Sequence, residues 1–172
     1  SYLYRPQATV SFKGERPQVM HARKIDEGVY WVGAVDWDRR MFDSLIPLPD
    51  GTSYNAYLVK GQEQTALIDA VDPAMKRILL QRLESLGVTS LDYVVANHAE
   101  QDHSGTIPDI LDKFPMAKVV TSQIGKSMIM DLLDVPYDRI VTVNDGETIN
   151  LGGKTLQFFS FPWVHWPETM VT

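Results

Sequence analysis

The chain has 172 residues, a formal net charge of −6 at pH 7 and no cysteine. Its length predicts one domain with a sizeable core, and the lack of cysteine excludes disulfides, thiolate metal sites, iron–sulfur clusters and cysteine nucleophiles. The acidic balance, without a cluster of lysine and arginine, argues against nucleic-acid binding. No apolar run reaches the roughly 20 residues of a membrane span, and the first residues lack the layout of a signal peptide, so we expect a cytoplasmic protein.

Branched and aromatic residues separated by glycine, proline and aspartate predict antiparallel strands in the first sixty residues. These strands are predicted at residues 8–12, 19–25, 29–35 and 54–60. A buried strand follows at residues 65–70. Asp72 and Pro73 predict the start of a helix, because the aspartate side chain caps the first backbone N–H groups and proline fits the first turn. Gly87 is expected to end that helix.

After this helix the pattern alternates between strands and helices. Thr106 to Asp109 resembles a capping box that opens a helix, and Ser122 is expected to cap a helix that runs through Leu133. Further strands are predicted at residues 91–96, 117–121, 140–143, 148–151 and 154–161, with glycine turns before and between the last two. The sequence therefore predicts one α/β domain with mixed sheets over residues 1–172, without internal repeats or linkers.

Four candidate metal ligands lie within six positions, at the point where a predicted strand ends. They are His98, Glu100, Asp102 and His103, and His165 lies downstream. Imidazole and carboxylate suit divalent iron, manganese or zinc. Side chains alternate along an extended segment, so His98 and Glu100 can face one ion, while Asp102 and His103 can face a second. A solvated polar loop is the alternative, which this density of ligands at a strand end disfavours.

Other residues are assigned plainer roles. Asp72 is predicted to be a helix cap and not a ligand. His21 is expected at the surface, and Met128 and Met130 are expected to pack a helix. Trp163 and Trp166 flank His165 and could either wall the metal pocket or belong to the core, and the sequence leaves these two alternatives open.

Several segments together resemble the metallo-β-lactamase-like domain of the flavodiiron proteins, also called A-type flavoproteins. The cluster His98-x-Glu100-x-Asp102-His103 is similar to that family's ligand motif, and the similarity extends over nearly the whole chain. The other matching segments are residues 31–33, 36–38, 51–58, 96–105 and 162–170. Zinc hydrolases of the same superfamily typically have histidine where Glu100 stands, so this carboxylate favours iron and redox chemistry.

The resemblance implies a metallo-β-lactamase-like αββα sandwich with a non-haem diiron centre. One iron would be bound by His98, Glu100 and His165, and the other by Asp102 and His103. It also implies reduction of O2 to water, of NO to N2O, or of both. Electrons would come from FMN in a flavodoxin-like domain, supplied by a donor such as rubredoxin or a flavin reductase. Head-to-tail homodimers, typical of the family, would bring that flavin near the partner's irons.

The sequence also departs from the family pattern. The bridging aspartate and the final histidine of the family would lie after Thr172, and we expect no flavodoxin-like domain in this chain. We therefore expect a sandwich truncated within its second half, which is inactive on its own. Three alternatives stay open: a diiron oxygen-binding sensor, a zinc hydrolase, and an inactive metal-free fragment. The preference between O2 and NO depends on pocket shape and on the contacts around the metal ligands.

Overall fold

The computed structural model describes residues 21–172. The strand predicted at residues 8–12 and the first part of the one at 19–25 lie outside these residues. The first eight strands are β1 Arg23–Asp26, β2 Val29–Trp31, β3 Ala34–Asp36, β4 Met41–Phe42, β5 Ile46–Pro47, β6 Thr52–Tyr54, β7 Tyr57–Lys60 and β8 Thr65–Ile68. The remaining strands are β9 Tyr93–Val95, β10 Lys118–Thr121, β11 Ile140–Thr142, β12 Thr148–Asn150, β13 Thr155–Gln157, β14 Phe159–Ser160 and β15 Met170–Val171. The helices are α1 Lys76–Ser85, α2 Gln101–Ser104, α3 Ile107–Lys113 and α4 Gln123–Leu133, with 3₁₀ turns at Pro73–Met75 and Tyr137–Arg139.

A seven-stranded sheet in the order β1-β2-β7-β8-β9-β10-β11 forms the centre of the described chain. The pairs from β1 to β8 are antiparallel, and the pairs from β8 to β11 are parallel. Parallel strands need crossover connections, and α1, α3 and α4 lie within these crossovers. The predicted mixed α/β class is confirmed.

Each face of the sheet carries its own apolar core, because neighbouring residues of a strand point to opposite faces. Leu67, Val94 and Val119 face one core together with apolar residues of α1, α3 and α4. Val95 and Val120 face the other core, which the β12–β13 hairpin and the segment around β14 and β15 cover. Met128 and Met130 pack against the first core, as predicted, and His21 is exposed.

The strand predicted at residues 29–35 is wrong in extent, because the structure divides it between two sheets. β2 belongs to the central sheet, whereas β3 pairs with β6 in a separate ribbon. The break falls at Gly33, where a Cβ atom would collide with the carbonyl oxygen of Tyr54. The predicted strand at residues 54–60 divides in the same way, into the end of β6 and β7.

Two of the three predicted helix caps are confirmed. The Asp72 side chain accepts a hydrogen bond from the Ala74 N–H, and the Ser122 hydroxyl accepts one from Gly125 at the start of α4. The capping box at Thr106 is wrong, since this side chain makes no cap bond to α3. Its hydroxyl is instead bonded to the backbone of Val71, which ties α3 to the end of β8.

Among the short elements that were not predicted, two lie at the candidate site. α2 begins directly after Glu100 and contains Asp102 and His103, while β15 pairs with β14 across a loop of residues 161–169. Among residues 21–172, no helix combines the length and apolar character needed to cross a membrane.

Candidate metal centre

The candidate ligands lie beyond the carboxyl ends of the parallel strands. Residues 97–104 follow β9, and the backbone N–H of Ala70, just after β8, donates to the carbonyl of His103 at 2.7 Å. The loop of residues 161–169 reaches the same edge, because the N–H of Met170 donates to the carbonyl of Asn97 at 3.0 Å. Ligand sites typically form at this edge of open α/β sheets.

Three side chains meet in a compact group. Glu100 Oε2 lies 2.9 Å from Nε2 of His98 and 3.2 Å from Nε2 of His165. One ligand atom from each of these residues lies within 4.8 Å of the other two. His98 is buried, whereas 64% of the His165 side chain is exposed. The group that the resemblance implied for one iron is therefore assembled by segments 65 positions apart in the sequence (165 − 100).

Asp102 and His103 lie beside this group. The His103 ring centroid is 5.4 Å from that of His98, and His103 Nε2 lies 3.5 Å from Oδ2 of Asp102. Burial raises the pKa of the Asp102 carboxyl, and the nearby His103 opposes this shift. Oδ1 of Asp102 is buried without a hydrogen-bond partner among residues 21–172. The five predicted residues thus lie side by side in one cluster.

Two acidic residues of the cluster were not predicted as members. Asp69 adopts a left-handed φ of 55°, and its carboxylate accepts hydrogen bonds from the Asn97 N–H at 2.8 Å and the Asn97 amide at 3.2 Å. Burial raises the pKa of Asp69, and the bonds from Asn97 oppose this. Glu168 contacts His98 from the side opposite Glu100, with Oε1 at 2.7 Å from Nδ1. Asp69 and Glu168 are distant in sequence from the residues they contact, Asn97 and His98, so no local sequence pattern indicated that they belong to the cluster.

The two tryptophans beside His165 have different roles. The Trp166 ring packs edge-on against His98, with 4.9 Å between ring centroids, so it forms a wall of the cluster. Trp163 is 74% exposed and belongs to neither the wall nor the core. Trp166 also lines a cavity of about 490 Å³, in which Glu100, Asp102, Arg39 and Phe42 also take part. The cluster is thus open to a space that admits small molecules.

The donor set fits divalent metal ions of borderline hardness. Two imidazole nitrogens and a carboxylate oxygen converge, which is the two-histidine, one-carboxylate composition of non-haem iron sites. The unpartnered Oδ1 of Asp102 is a second buried acceptor beside them, and a buried oxygen of this kind calls for a proton or a cation. The residues present are therefore suited to an iron pair.

Comparisons with known proteins agree with this chemistry. A family model described as "ODP family beta lactamase" matches residues 52–172. The nitric oxide reductase of Moorella thermoacetica is 38% identical over 154 residues, covering 86% of this chain and 37% of the relative.

Two solved structures have similar folds. The rubredoxin oxygen:oxidoreductase of Desulfovibrio gigas matches with a TM-score of 0.81 and 36% identity, over 87% of this chain and 37% of that one. The flavodiiron protein of Giardia intestinalis matches with a TM-score of 0.81 and 32% identity, over 90% and 38%. The chain thus spans less than two fifths of the length of these proteins.

Proposed function

The chain belongs to the ODP family of β-lactamase domains, in its flavodiiron branch, and from this premise we propose that it holds a non-haem diiron centre. The whole protein would reduce O2 to water, NO to N2O, or both. The observation that carries the proposal is the contact of one carboxylate, Glu100, with the imidazoles of both His98 and His165.

Each residue has a stated part in this proposal. His98, Glu100 and His165 would bind one iron, and Asp102 and His103 would bind the other. When bound, the iron pair supplies electrons and open coordination positions for a diatomic molecule. Glu100 adds negative charge, which favours iron over an all-imidazole zinc site. Trp166 covers one edge of His98 and keeps water from that side of the cluster.

The remaining parts of the proposal concern the whole protein. FMN on a flavodoxin-like domain would deliver the electrons, and the name of the Desulfovibrio gigas relative favours rubredoxin as a donor class. A head-to-tail homodimer and a cytoplasmic location complete it. Inactivity of the 172-residue chain alone stays a prediction.

Iron reconstitution tests the proposal. Metal-free protein is incubated anaerobically with Fe(II), and the iron ions bound per chain are counted. We expect the protein to retain iron. His165→Ala should lower iron affinity at least tenfold, because loss of a partner of a metal ligand already costs about 10- to 100-fold and loss of the ligand itself should cost no less. His165 is exposed, so its removal leaves the core intact. His21→Ala, at an exposed histidine outside the cluster, is the matched control and should bind iron like the wild type.

The same preparation separates the alternatives. The whole protein in its ferrous form, mixed with NO, should release N2O once, because two ferrous ions supply the two electrons that convert two NO and two protons into N2O and water. The 172-residue chain alone should release none. Iron binding with reversible O2 uptake and no reduction would indicate a sensor. Failure to hold Fe(II), together with ester or lactone hydrolysis by the zinc-loaded protein, would defeat the diiron proposal.

A further inference from the structure

We propose that Glu168 is a positioning residue that holds the His98 ring with Nε2 facing the metal. The proposal rests on the diiron function proposed above. The sequence marked His165 of the 161–169 loop as a candidate ligand and Trp163 and Trp166 as candidate pocket walls, but it gave Glu168 no part in the site.

The Glu168 carboxylate is held in place by contacts other than the one with His98. Glu168 is 2% exposed, and its Oε1 accepts a hydrogen bond from the Ala99 N–H at 2.9 Å. Its backbone carbonyl accepts a hydrogen bond from the Ser122 hydroxyl at 2.9 Å, which anchors the residue to the start of α4. Both the side chain and the backbone of Glu168 are therefore held by elements other than its own loop.

The position of this carboxylate assigns the roles of the two ring nitrogens. Oε1 of Glu168 lies 2.7 Å from Nδ1 of His98 and can only accept a hydrogen bond, so Nδ1 carries the proton. With an ion bound, Nε2 would be the nitrogen that offers its lone pair, because it faces Glu100 and Nε2 of His165, the other candidate ligands of that ion. Histidine ligands in metal sites typically donate their other ring N–H to such an acceptor, which fixes the tautomer and raises ligand basicity.

Stability alone does not account for a carboxylate at this position. Oε2 of Glu168 is buried and has no hydrogen-bond partner among residues 21–172. Burying a carboxylate that is only half satisfied is unfavourable, and an apolar side chain of the same size would avoid this cost. Orientation of the His98 ring explains why a charged carboxylate stands at this buried position.

The loop also couples two ligands. Residues 161–169 carry both His165, a candidate ligand, and Glu168, the partner of another candidate ligand 70 positions away. Movement of this loop would therefore withdraw His165 and release the His98 ring together. Through Glu168, the loop contributes to the binding site by a residue that does not itself contact the metal.

Two variants test the proposal. Glu168→Gln keeps the shape and an oxygen acceptor but removes the charge, whereas Glu168→Met keeps the length and removes the acceptor. Glu84→Gln, at an exposed glutamate of α1, is the matched control. Fe(II) affinity is measured anaerobically by competition with a chelator. In Zn(II)-loaded protein labelled with ¹⁵N-histidine, the His98 ring N–H is followed by NMR.

We expect Glu168→Met to lower Fe(II) affinity by about 10- to 100-fold, the usual loss when such a partner is removed, and Glu168→Gln by about tenfold. The His98 Nδ1–H signal should persist in the wild type and in Glu168→Gln, and should be lost to exchange with water in Glu168→Met. Glu84→Gln should match the wild type in both measurements. Should Glu168→Met fail to fold, Glu168→Gln decides the affinity test because it is isosteric.

Unchanged Fe(II) affinity in folded Glu168→Gln, or an unchanged His98 N–H signal in folded Glu168→Met, would overturn this inference and leave the diiron proposal intact. A wild-type protein that binds no Fe(II) would overturn both. The two failures are thus distinguishable.

Discussion

At the scale of single residues, the burial of Tyr54 affects how the stability of the fold depends on pH. This residue lies close to Arg39 and Asp72, two residues of the cavity lining. Burial raises the pKa of this phenol to about 12, and the carboxylate of Asp72 adds to the shift while Arg39 opposes it. The unfolded chain has a tyrosine pKa of about 10. A raised pKa means that folding favours the neutral phenol, so this stabilisation is fully present below pH 10 and is lost as the pH rises toward 12.

We therefore expect the free energy of unfolding of the wild type to fall more steeply between pH 10 and 12 than that of Tyr54→Phe. The difference in slope is at most about 1.4 kcal/mol per pH unit, the value for one proton. Urea unfolding followed by circular dichroism at several alkaline pH values measures it. Phenylalanine keeps the buried ring and loses only the hydroxyl, which bonds to Asp36. Parallel curves for the two proteins would show that Tyr54 does not titrate in this way.

The residues of the site differ in how well the sequence predicted them. His98, Glu100, Asp102 and His103 were predicted because their ligand chemistry is concentrated in one short segment. Glu168 was missed because its contact with His98 spans 70 positions, and a glutamate in a loop carries no local sign of such a partner. Tertiary hydrogen bonds of this kind are visible only in the folded chain.

At the scale of elements, predictions held where several local signals agreed. Ser122 followed by an apolar helical pattern gave α4 with its correct cap and end. Strand extents failed where the chain crosses from one sheet to another, since Val32 and Val35 continue the strand-like pattern on both sides of Gly33 while the pairing partner changes. The β-propensity of a segment indicates that its backbone is extended, but it does not indicate which strand the segment pairs with.

The crossing at Gly33 yields a prediction. A Cβ atom here would lie against the Tyr54 carbonyl oxygen, 2.9 Å from the Ala56 nitrogen and 2.9 Å from Nε1 of Trp31. Two of these neighbours are backbone atoms of the paired segment and cannot move aside as a side chain could. We expect Gly33→Ala to lower the free energy of unfolding by about 3 kcal/mol, the upper part of the usual range for overpacking.

A second glycine is the control for this experiment. Gly146 has a positive φ of 77° and open space around the position of a Cβ atom, so Gly146→Ala adds backbone strain of about 1–2 kcal/mol without a collision. Denaturant unfolding should therefore rank Gly33→Ala as the more destabilised variant. The reverse order would mean that the backbone at Tyr54 and Ala56 can move away from Gly33 at little cost.

At the scale of the whole molecule, the parallel half of the sheet determines where the site forms. β8 and β9 end at the same edge, and the segments that follow them carry Asp69 and His98 to adjacent positions. The β14–β15 hairpin lies on the face of the sheet that α1, α3 and α4 do not cover, and from there it brings the 161–169 loop to this edge. The sequence predicted an α/β sheet with candidate ligands at the end of a strand, whereas the approach of the 161–169 loop depends on long-range packing of Met170 in the core.

This arrangement predicts that metal binding stabilises the whole fold. An ion held by His98, Glu100 and His165 would join the segment after β9 to the 161–169 loop, and binding to the folded state alone adds stability by mass action. At Fe(II) concentrations a hundred times the dissociation constant, the gain is about 2.7 kcal/mol. For a chain of this size that corresponds to a rise in Tm of about 5–10 °C.

Anaerobic thermal unfolding with Fe(II), and again after removal of the metal by a chelator, measures this rise. His165→Ala should show a smaller rise, because without His165 the ion no longer joins the loop to the segment after β9. His21→Ala should respond like the wild type. A Tm that is the same with and without Fe(II) would mean that these two segments are not joined by a metal ion, and the diiron proposal would lose its structural basis.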